Sequence, residues 1–310
     1  MNDFFTSAVL IATITAAIRL ATPYLLAGLG EAIGQRSGVL NLGVDGVMLL
    51  SAFAAYYTAL ETDSLLLATL VGVTTGFVMG LIYGLITVVF QAAQGISGIG
   101  IYLFGLGFSD LLFQKLVGSP KPTKQLSDIS IPFLADIPTI GEMFFQHSYL
   151  TYFAFVCVPL ATFLLMKTPF GTTIRAVGEN PEAADSLGIS VTRTRWITIL
   201  IGNTMAGLAG TALVLDLGIF QGNITSGLGF IAVALVYFGA WRPSGVMAGA
   251  LLFGFVSSIV LQWKTLGIIP RSASDLASMA PAVVTIIALV VVAQRIRPPA
   301  ALTKPFSRGS

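Results

Sequence analysis

The sequence predicts an all-α fold that crosses a lipid bilayer many times. Hydrophobic residues make up 55% of the 310 residues and charged residues only 10%, whereas an average soluble domain has roughly 25% charged residues. The mean hydropathy is +0.88. Residues 65–90 carry no formal charge, and as a helix they would rise about 39 Å, more than the roughly 30 Å hydrocarbon core of a bilayer. These observations indicate a polytopic integral membrane protein.

Apolar stretches of span length recur along the whole chain, so residues 1–310 are expected to form a single transmembrane domain. No Lys or Arg precedes the first stretch in Met1-Asn2-Asp3, which argues against a cleaved signal peptide. We predict about nine transmembrane helices, with roughly eight to ten as the range. The predicted spans cover residues 4–30, 39–57, 65–90, 97–114, 149–166, 196–215, 228–240, 246–263 and 278–294.

The third predicted span has glycine at every fourth position, namely Gly72, Gly76, Gly80 and Gly84. Residues four apart lie on one helix face. Small residues on such a face allow a neighbouring helix to approach closely, and in lipid this dense packing replaces the hydrophobic drive between helices. The stripe is therefore either an interface that slides during function or a site of static helix packing.

Residues 115–148 are interpreted as an extracellular loop between two spans. Pro120, Pro122, Pro132 and Pro138 interrupt any helix there. The loop is too long for a plain connection, so we expect it to contact a partner or to cover the entrance of a pathway. A structureless surface loop is the alternative.

Residues 167–195 form a polar loop that contains the signals of a short, separately capped helix. Asn180 is a good N-cap and Pro181 suits the first helical position. Glu182 and Asp185 complement the positive helix end, and Gly188 suits the position just after the helix. Such a helix, about 10 Å long, can neither span a bilayer nor persist alone in water. It either docks on another protein or is an ordinary capped helix between spans.

Lys and Arg residues favour cytoplasmic loops, and their distribution predicts the orientation. If the 167–195 loop is inside, Arg19 stays within the first span and the cytoplasmic set is twice as large as the outer set. The C-terminus is then cytoplasmic, and an odd number of spans places the N-terminus outside. The cytoplasmic set is Arg36, Lys167, Arg175, Arg193, Arg195, Arg242, Arg295, Arg297, Lys304 and Arg308; the outer set is Lys115, Lys121, Lys124, Lys264 and Arg271.

Several polar residues fall at membrane depth, where they must face protein or water rather than lipid. Asp45, in the glycine-rich stretch from Gly38 to Gly46, either lines a pathway or caps a helix by accepting from local amides. The others either line a path for an uncharged polar solute or form hydrogen bonds between helices. The candidate pathway residues are Asn41, Asp45, Gln94, Ser97, Asn203 and Asn223; Gln91, Asp110, Asp216 and Gln221 share the predicted depth.

The sequence argues against several other functions. One cysteine, Cys157, and one histidine, His147, exclude a Cys/His metal cluster and an internal disulfide. No lysine follows a glycine, so the chain has no Gly-Lys-Ser/Thr phosphate loop and is not itself a P-loop ATPase. Neither a metal site nor a catalytic residue is predicted, an intramembrane enzyme is poorly supported, and the net charge of +2 gives no support for nucleic-acid binding.

Three stretches, in order along the chain, carry a resemblance to a known family. They are GEAIGQRSGVLNLGVDGVMLL at residues 30–50, TPFGTTIRAVGENPEAADSLGI at 168–189 and GLGFIAVALVYFGAWRPSGVMAGALLFG at 227–254. The middle stretch is the most specific of the three. With these motifs the chain resembles the ABC importer permeases of the branched-chain amino acid/ribose type, in particular the shorter permease of the nucleoside (simple-sugar) uptake subgroup.

The resemblance implies that the chain is the permease subunit of an ATP-driven importer of nucleosides or simple sugars in a prokaryotic plasma (inner) membrane. It also implies three partners: a separate ATPase subunit, a second homologous permease and an extracellular solute-binding lipoprotein. ATP and Mg²⁺ would be used by the ATPase, so this chain would be no enzyme and would bind no cofactor. The ATPase-coupling role would fall on Asn180, Pro181, Glu182, Ala183, Ala184 and Gly188.

An ion-coupled secondary transporter of a small polar solute is the alternative function. It would use Asp45 or Asp110 as a proton or sodium site. The chain also lacks the Ile-x-Leu-Pro tail that follows Glu-Ala-Ala in some other importer classes, so groove details from those classes are not carried over.

Overall fold

The computed structural model describes residues 7–293 and 297–307. Arg295 and Arg308 of the predicted cytoplasmic set, and Met1-Asn2-Asp3, lie outside the described residues. The elements in chain order are α1 (Ser7–Arg36), α2 (Val44–Thr62), α3 (Leu65–Gly84, continued by a π-helix Leu85–Val89), α4 (Gln94–Leu116), β1 (Ile129–Ser130), α5 (Ile140–Phe144), β2 (Gln146–His147), α6 (Tyr149–Lys167), α7 (Pro169–Glu179), α8 (Pro181–Ser186), α9 (Val191–Leu217), α10 (Leu228–Phe238), α11 (Pro243–Thr265), α12 (Ser274–Ser278) and α13 (Ala280–Ala293).

The described part of the chain is an all-α bundle with one two-residue strand pair. Six of its helices, namely α1, α3, α4, α6, α9 and α11, are long and apolar enough to cross a membrane. The predicted number of about nine spans is not confirmed. The stretches predicted as spans at 228–240 and 278–294 form helices of 11 and 14 residues, which are shorter than the roughly 20 residues that a span needs.

Helix α9 is the centre of the bundle, and α1, α2 and α3 pack around it. The glycine stripe of α3 faces α9, as the spacing predicted. A Cβ atom at Gly76 would lie 2.8 Å from the Cα atom of Gly207 on α9. Only glycine permits so close an approach of two helix backbones, so the prediction of a tight helix contact is confirmed.

The segment between α4 and α6 is folded, not structureless. Strands β1 and β2 pair antiparallel, with Ile129 opposite His147. The preceding chain is tied to the end of α9, because Thr123 N donates to Gly218 O at 2.8 Å and Leu126 N donates to Leu215 O at 3.1 Å. The segment therefore forms a small cap on the end of the bundle where α9 finishes.

The opposite end of the bundle gathers many of the residues in the basic set. Arg36, the last residue of α1, donates from Nε to Trp241 O at 3.1 Å, next to Arg242. Arg195 in the first turns of α9 donates to Lys304 O at 2.9 Å. We call this the basic end: the end of α1, helices α7 and α8, the start of α9, residues 240–242 and residues 299–306. Among the described residues, Arg195 of the cytoplasmic set and Lys121 and Lys124 of the outer set therefore lie at opposite ends of α9.

Candidate functional site

Helix α8 at the basic end has the caps that its sequence predicts. The Asn180 side-chain oxygen accepts from Ala183 N at 3.0 Å, and Pro181 occupies the first helical position. Gly188 has φ +82°, and Ile189 N donates to Ala184 O at 3.0 Å. This is the Schellman arrangement, in which a left-handed residue ends a helix. Local sequence thus fixes both ends of α8.

Ala184, one of the residues to which the resemblance gives the coupling role, does not lie on the outward face of α8. Ala184 is only 3% exposed and packs with Val177 of α7 and Val191 of α9. It faces the protein because Val177 and Val191, which flank the short helix, pack against this side of it. The outward face carries Glu182, Ala183, Ser186 and Leu187. Leu187 is 81% exposed, which is unusual for a large apolar side chain beside a polar loop.

The 167–195 loop also contains α7, a helix that the sequence analysis did not predict. Its N-cap is Thr168, whose hydroxyl accepts from Gly171 N at 3.0 Å. Ile174, Val177 and Gly178 are buried against the bundle. A Cβ atom at Gly178 would clash with the carbonyl of Arg36, so α7 lies directly against the end of α1.

A C-terminal strap, residues 299–306, crosses the basic end and holds these elements together. Ala301 N donates to Gly178 O at 2.9 Å, and Thr303 N donates to Gly38 O at 3.1 Å. Phe306 packs on the cluster of Val177, Ala184 and Val191. The sequence reasoning used this tail only for its charges and missed its contacts. The apolar residues Ala301, Leu302 and Phe306 in a polar tail are the signal that could have revealed them.

Arg195 is a buried residue and not a solvated loop charge. It is 4% exposed, and its Nη1 donates to Lys304 O of the strap. Its Nε and Nη2 atoms have no hydrogen-bond partner among the described residues. A buried donor without a partner costs about 1 to 3 kcal/mol. The burial of the Arg195 guanidinium beneath the strap is therefore energetically unfavourable.

Two candidate pathway residues, Asn41 and Asn203, are brought together inside the bundle. Asn41 Nδ2 donates to Asn203 Oδ1 at 3.0 Å, and Asn203 Nδ2 donates to Ile199 O at 2.9 Å. Gln94, also buried, accepts from Leu40 N at 2.9 Å. These three residues form hydrogen bonds between helices and to a loop. Such bonds are the alternative to a pathway-lining role that the sequence left open.

Asp45 joins α2 to the start of α10. One carboxylate oxygen accepts from Gly229 N at 2.7 Å and the other from Thr225 Oγ1 at 2.9 Å. The residue is fully buried. Asp45 is thus a helix-capping residue, although the helix it caps lies far away in sequence. Both of its oxygens are used inside the bundle.

The remaining two candidates lie apart from this interior. Ser97 is half-buried and donates to Ala93 O, the residue just before its own helix. Asn223 is exposed in the turn-rich segment between α9 and α10, with φ +54°. The six candidates therefore do not surround one common space.

Sequence reasoning missed a buried polar network next to Asn41. Glu31 Oε1 accepts from Asn41 N at 2.9 Å and from Gln35 Nε2 at 3.1 Å. Gln35 Oε1 in turn accepts from the indole of Trp241 at 2.7 Å. Glu31 and Gln35 are four residues apart and so share one face of α1. That spacing, within the 30–50 stretch, was the available signal.

These features define a multi-pass membrane protein with a compact set of capped helices at one end and satisfied polar groups inside. The chain belongs to the family described as branched-chain amino acid transport system / permease component, whose family model matches residues 13–292.

Relatives within this family match most of the chain. It is 33% identical to the guanosine ABC transporter permease protein NupQ of Bacillus subtilis over 311 residues. This alignment covers 96% of this chain and 96% of NupQ. It is 33% identical to the nucleoside ABC transporter permease protein NupC of Lactococcus lactis, over 87% of this chain and 89% of NupC. It is 36% identical to TsgC13 of Haloferax volcanii, provisionally named a glucose ABC transporter permease protein, over 82% of this chain and 78% of TsgC13. No solved structure was found to match the chain.

Proposed function

We propose that the chain is the shorter of two permease subunits in an ATP-driven importer of nucleosides or simple sugars. The observation that carries this proposal is the match to NupQ along 96% of both chains, since it includes both the bundle and the helices of the basic end. NupQ and NupC are named for guanosine and nucleosides, and TsgC13 for glucose. These names support the two solute classes.

The coupling role is assigned to the outward face of α8. Its caps, Asn180 with Pro181 and Gly188, hold a short rigid helix against the bundle. Ala183 and Leu187 then offer a small residue and an apolar side chain to a groove on an ATPase subunit. That subunit binds ATP and Mg²⁺, so that this chain needs no cofactor of its own. Ala184 supports the helix from inside.

The orientation follows the charge rule: the basic end and the C-terminus face the cytoplasm of a prokaryotic cell, and residues 115–148 face outside, where a solute-binding lipoprotein docks. The second, homologous permease packs beside this one. Of the nine predicted spans, six are helices of full span length. The other three are α2, α10 and α13, which we expect to be embedded in the membrane beside them.

The ion-coupled alternative has weaker support. Both carboxylate oxygens of Asp45 are occupied by Thr225 and Gly229, which disfavours it as a site that exchanges a proton or sodium ion. A sealed-vesicle assay with the whole importer separates the two functions. We expect orthovanadate to stop uptake and a protonophore or sodium ionophore to leave it intact. The reverse result would reject the ATP-driven function.

A further inference from the structure

The segment between α9 and α10 runs back into the bundle without forming a helix. Helix α10 ends at Phe238, next to Ala240 and Trp241, whose carbonyls accept from Arg36 at the basic end. Its 11 residues rise about 16 Å, roughly half of a 30 Å hydrocarbon core. The start of α10 therefore lies near mid-depth, and residues 218–227 reach it from the other end of α9.

Polar side chains of this segment lie open between mid-depth and the end of the bundle where α9 finishes. Gln221, Asn223 and Ser226 are exposed. Asp110 of α4 lies beside them, because its Oδ1 atom is 3.1 Å from where a Cβ atom at Gly222 would be. Lipid cannot solvate such groups, and non-helical backbone at membrane depth is tolerated only against protein or a water-filled space. This side of the chain therefore faces an aqueous path or another subunit, not lipid.

An aromatic pair adjoins the same side. The rings of Tyr102 on α4 and Phe230 on α10 meet edge to face with centroids 5.0 Å apart, and Phe230 is 38% exposed. Tyr102 and Asp110 are eight residues apart on α4, about 12 Å along the helix. We call the whole set the polar edge: Tyr102, Asp110, Gln221, Asn223, Ser226 and Phe230.

We infer that the polar edge binds a nucleoside during its passage, an inference that rests on the proposed function. The heterocyclic base stacks on the exposed ring of Phe230, since an aromatic face accepts any base. The ribose hydroxyls donate to the Asp110 carboxylate, and the Asn223 amide bonds to the remaining polar atoms. The two ends of the edge suit a ligand with an aromatic part and a hydroxylated part, whereas a monosaccharide would reach only one of them.

The test uses the whole importer in proteoliposomes with its ATPase, second permease and binding protein. A photoactivatable azidoguanosine is irradiated during ATP-driven transport. We expect label in residues 218–238 or in α4, suppressed by excess guanosine and not by glucose. Phe230→Leu should lower guanosine uptake about 5- to 100-fold, the range expected for loss of one stacked base. Phe104→Leu is the matched control, because Phe104 on α4 is also exposed, 48% against 38% for Phe230, but stacks on Phe108.

A second variant tests the same site with a substitution that the backbone tolerates, in case Phe230→Leu does not fold. Asn223→Gly removes the side chain at a position whose positive φ suits glycine, and it should lower guanosine uptake about 2- to 10-fold. Label elsewhere in the chain, or wild-type uptake in both variants, would overturn the polar-edge site while leaving the proposed function standing. Uptake of glucose without guanosine would overturn the nucleoside assignment. The absence of ATP-driven uptake of either solute by the unmodified importer would overturn the proposed function itself.

Discussion

Leu187 at the end of α8 provides the sharpest test of coupling. Its side chain is 81% exposed, and a docking groove would remove most of it from water. Burying a leucine side chain fully is worth about 1.5 to 3 kcal/mol. Leu187→Ala should therefore weaken the contact with the ATPase subunit by about 2 kcal/mol, which corresponds to roughly a 30-fold higher Kd.

The assay titrates purified ATPase subunit onto the detergent-solubilised permease pair and measures the bound fraction, with ATP-driven uptake followed in parallel. Ala183→Trp, which enlarges the same outward face, should give a stronger loss. Leu276→Ala is the matched control, because Leu276 is 73% exposed but lies on α12, away from the basic end. If Leu187→Ala and Ala183→Trp bind the ATPase as tightly as the unmodified chain, α8 is an ordinary connection and the coupling proposal fails.

Three further predictions concern topology, the buried cap and the glycine stripe. In a Cys157→Ala background, Ser186→Cys should react with an impermeant maleimide only in opened cells, whereas Ser127→Cys should react in intact spheroplasts; the opposite pattern would reverse the orientation. Asp45→Asn should keep part of the transport activity, whereas Asp45→Leu should lose it, because leucine leaves Thr225 and Gly229 N unpaired at about 1 to 3 kcal/mol each; full activity of the leucine variant would contradict the cap. Gly76→Ala should destabilise the bundle by about 1 to 3 kcal/mol through backbone crowding, which would lower the Tm. Gly100→Ala, with open space around it, should leave the Tm unchanged. Equal Tm values for the two variants would show that α3 and α9 can move apart enough to accept the methyl group.

The features that sequence predicted well are those with local causes. The caps of α8 depend on Asn180, Pro181 and Gly188, which act within a few residues of one another. The glycine stripe of α3 depends only on the period of a helix. Both could be recognised without knowing what packs nearby.

The features that sequence predicted poorly depend on distant partners. Asp45 accepts from Gly229, 184 residues away, and no local pattern distinguishes such a cap from a pathway residue. The rotation of α8 is set by α7 and α9 on either side of it, so Ala184 could not be assigned to the inside from the capping signals alone. The apolar stretch at 228–240 does form a helix that begins at Leu228, but its hydrophobicity did not show that this helix, with 11 residues, is too short to span a bilayer.

The contacts at the basic end explain why the buried polar network lies where it does. Helix α8 packs through Ala184 on Val177 of α7, and α7 lies against the carbonyl of Arg36 because Gly178 has no side chain. Just before Arg36 on α1, Gln35 accepts from the indole of Trp241, and about one turn earlier Glu31 accepts from the backbone of Asn41.

The end of α1 is therefore the element that α8 and the network share. Helix α7 lies directly against the α1 backbone, because no flexible side chain stands between Gly178 and the carbonyl of Arg36. From the same end of α1, the Glu31 side chain accepts from Asn41 N, and Asn41 Nδ2 donates to Asn203 Oδ1 on α9. Because hydrogen bonds depend on direction as well as on distance, these contacts hold α1 against α9 more specifically than apolar packing alone would.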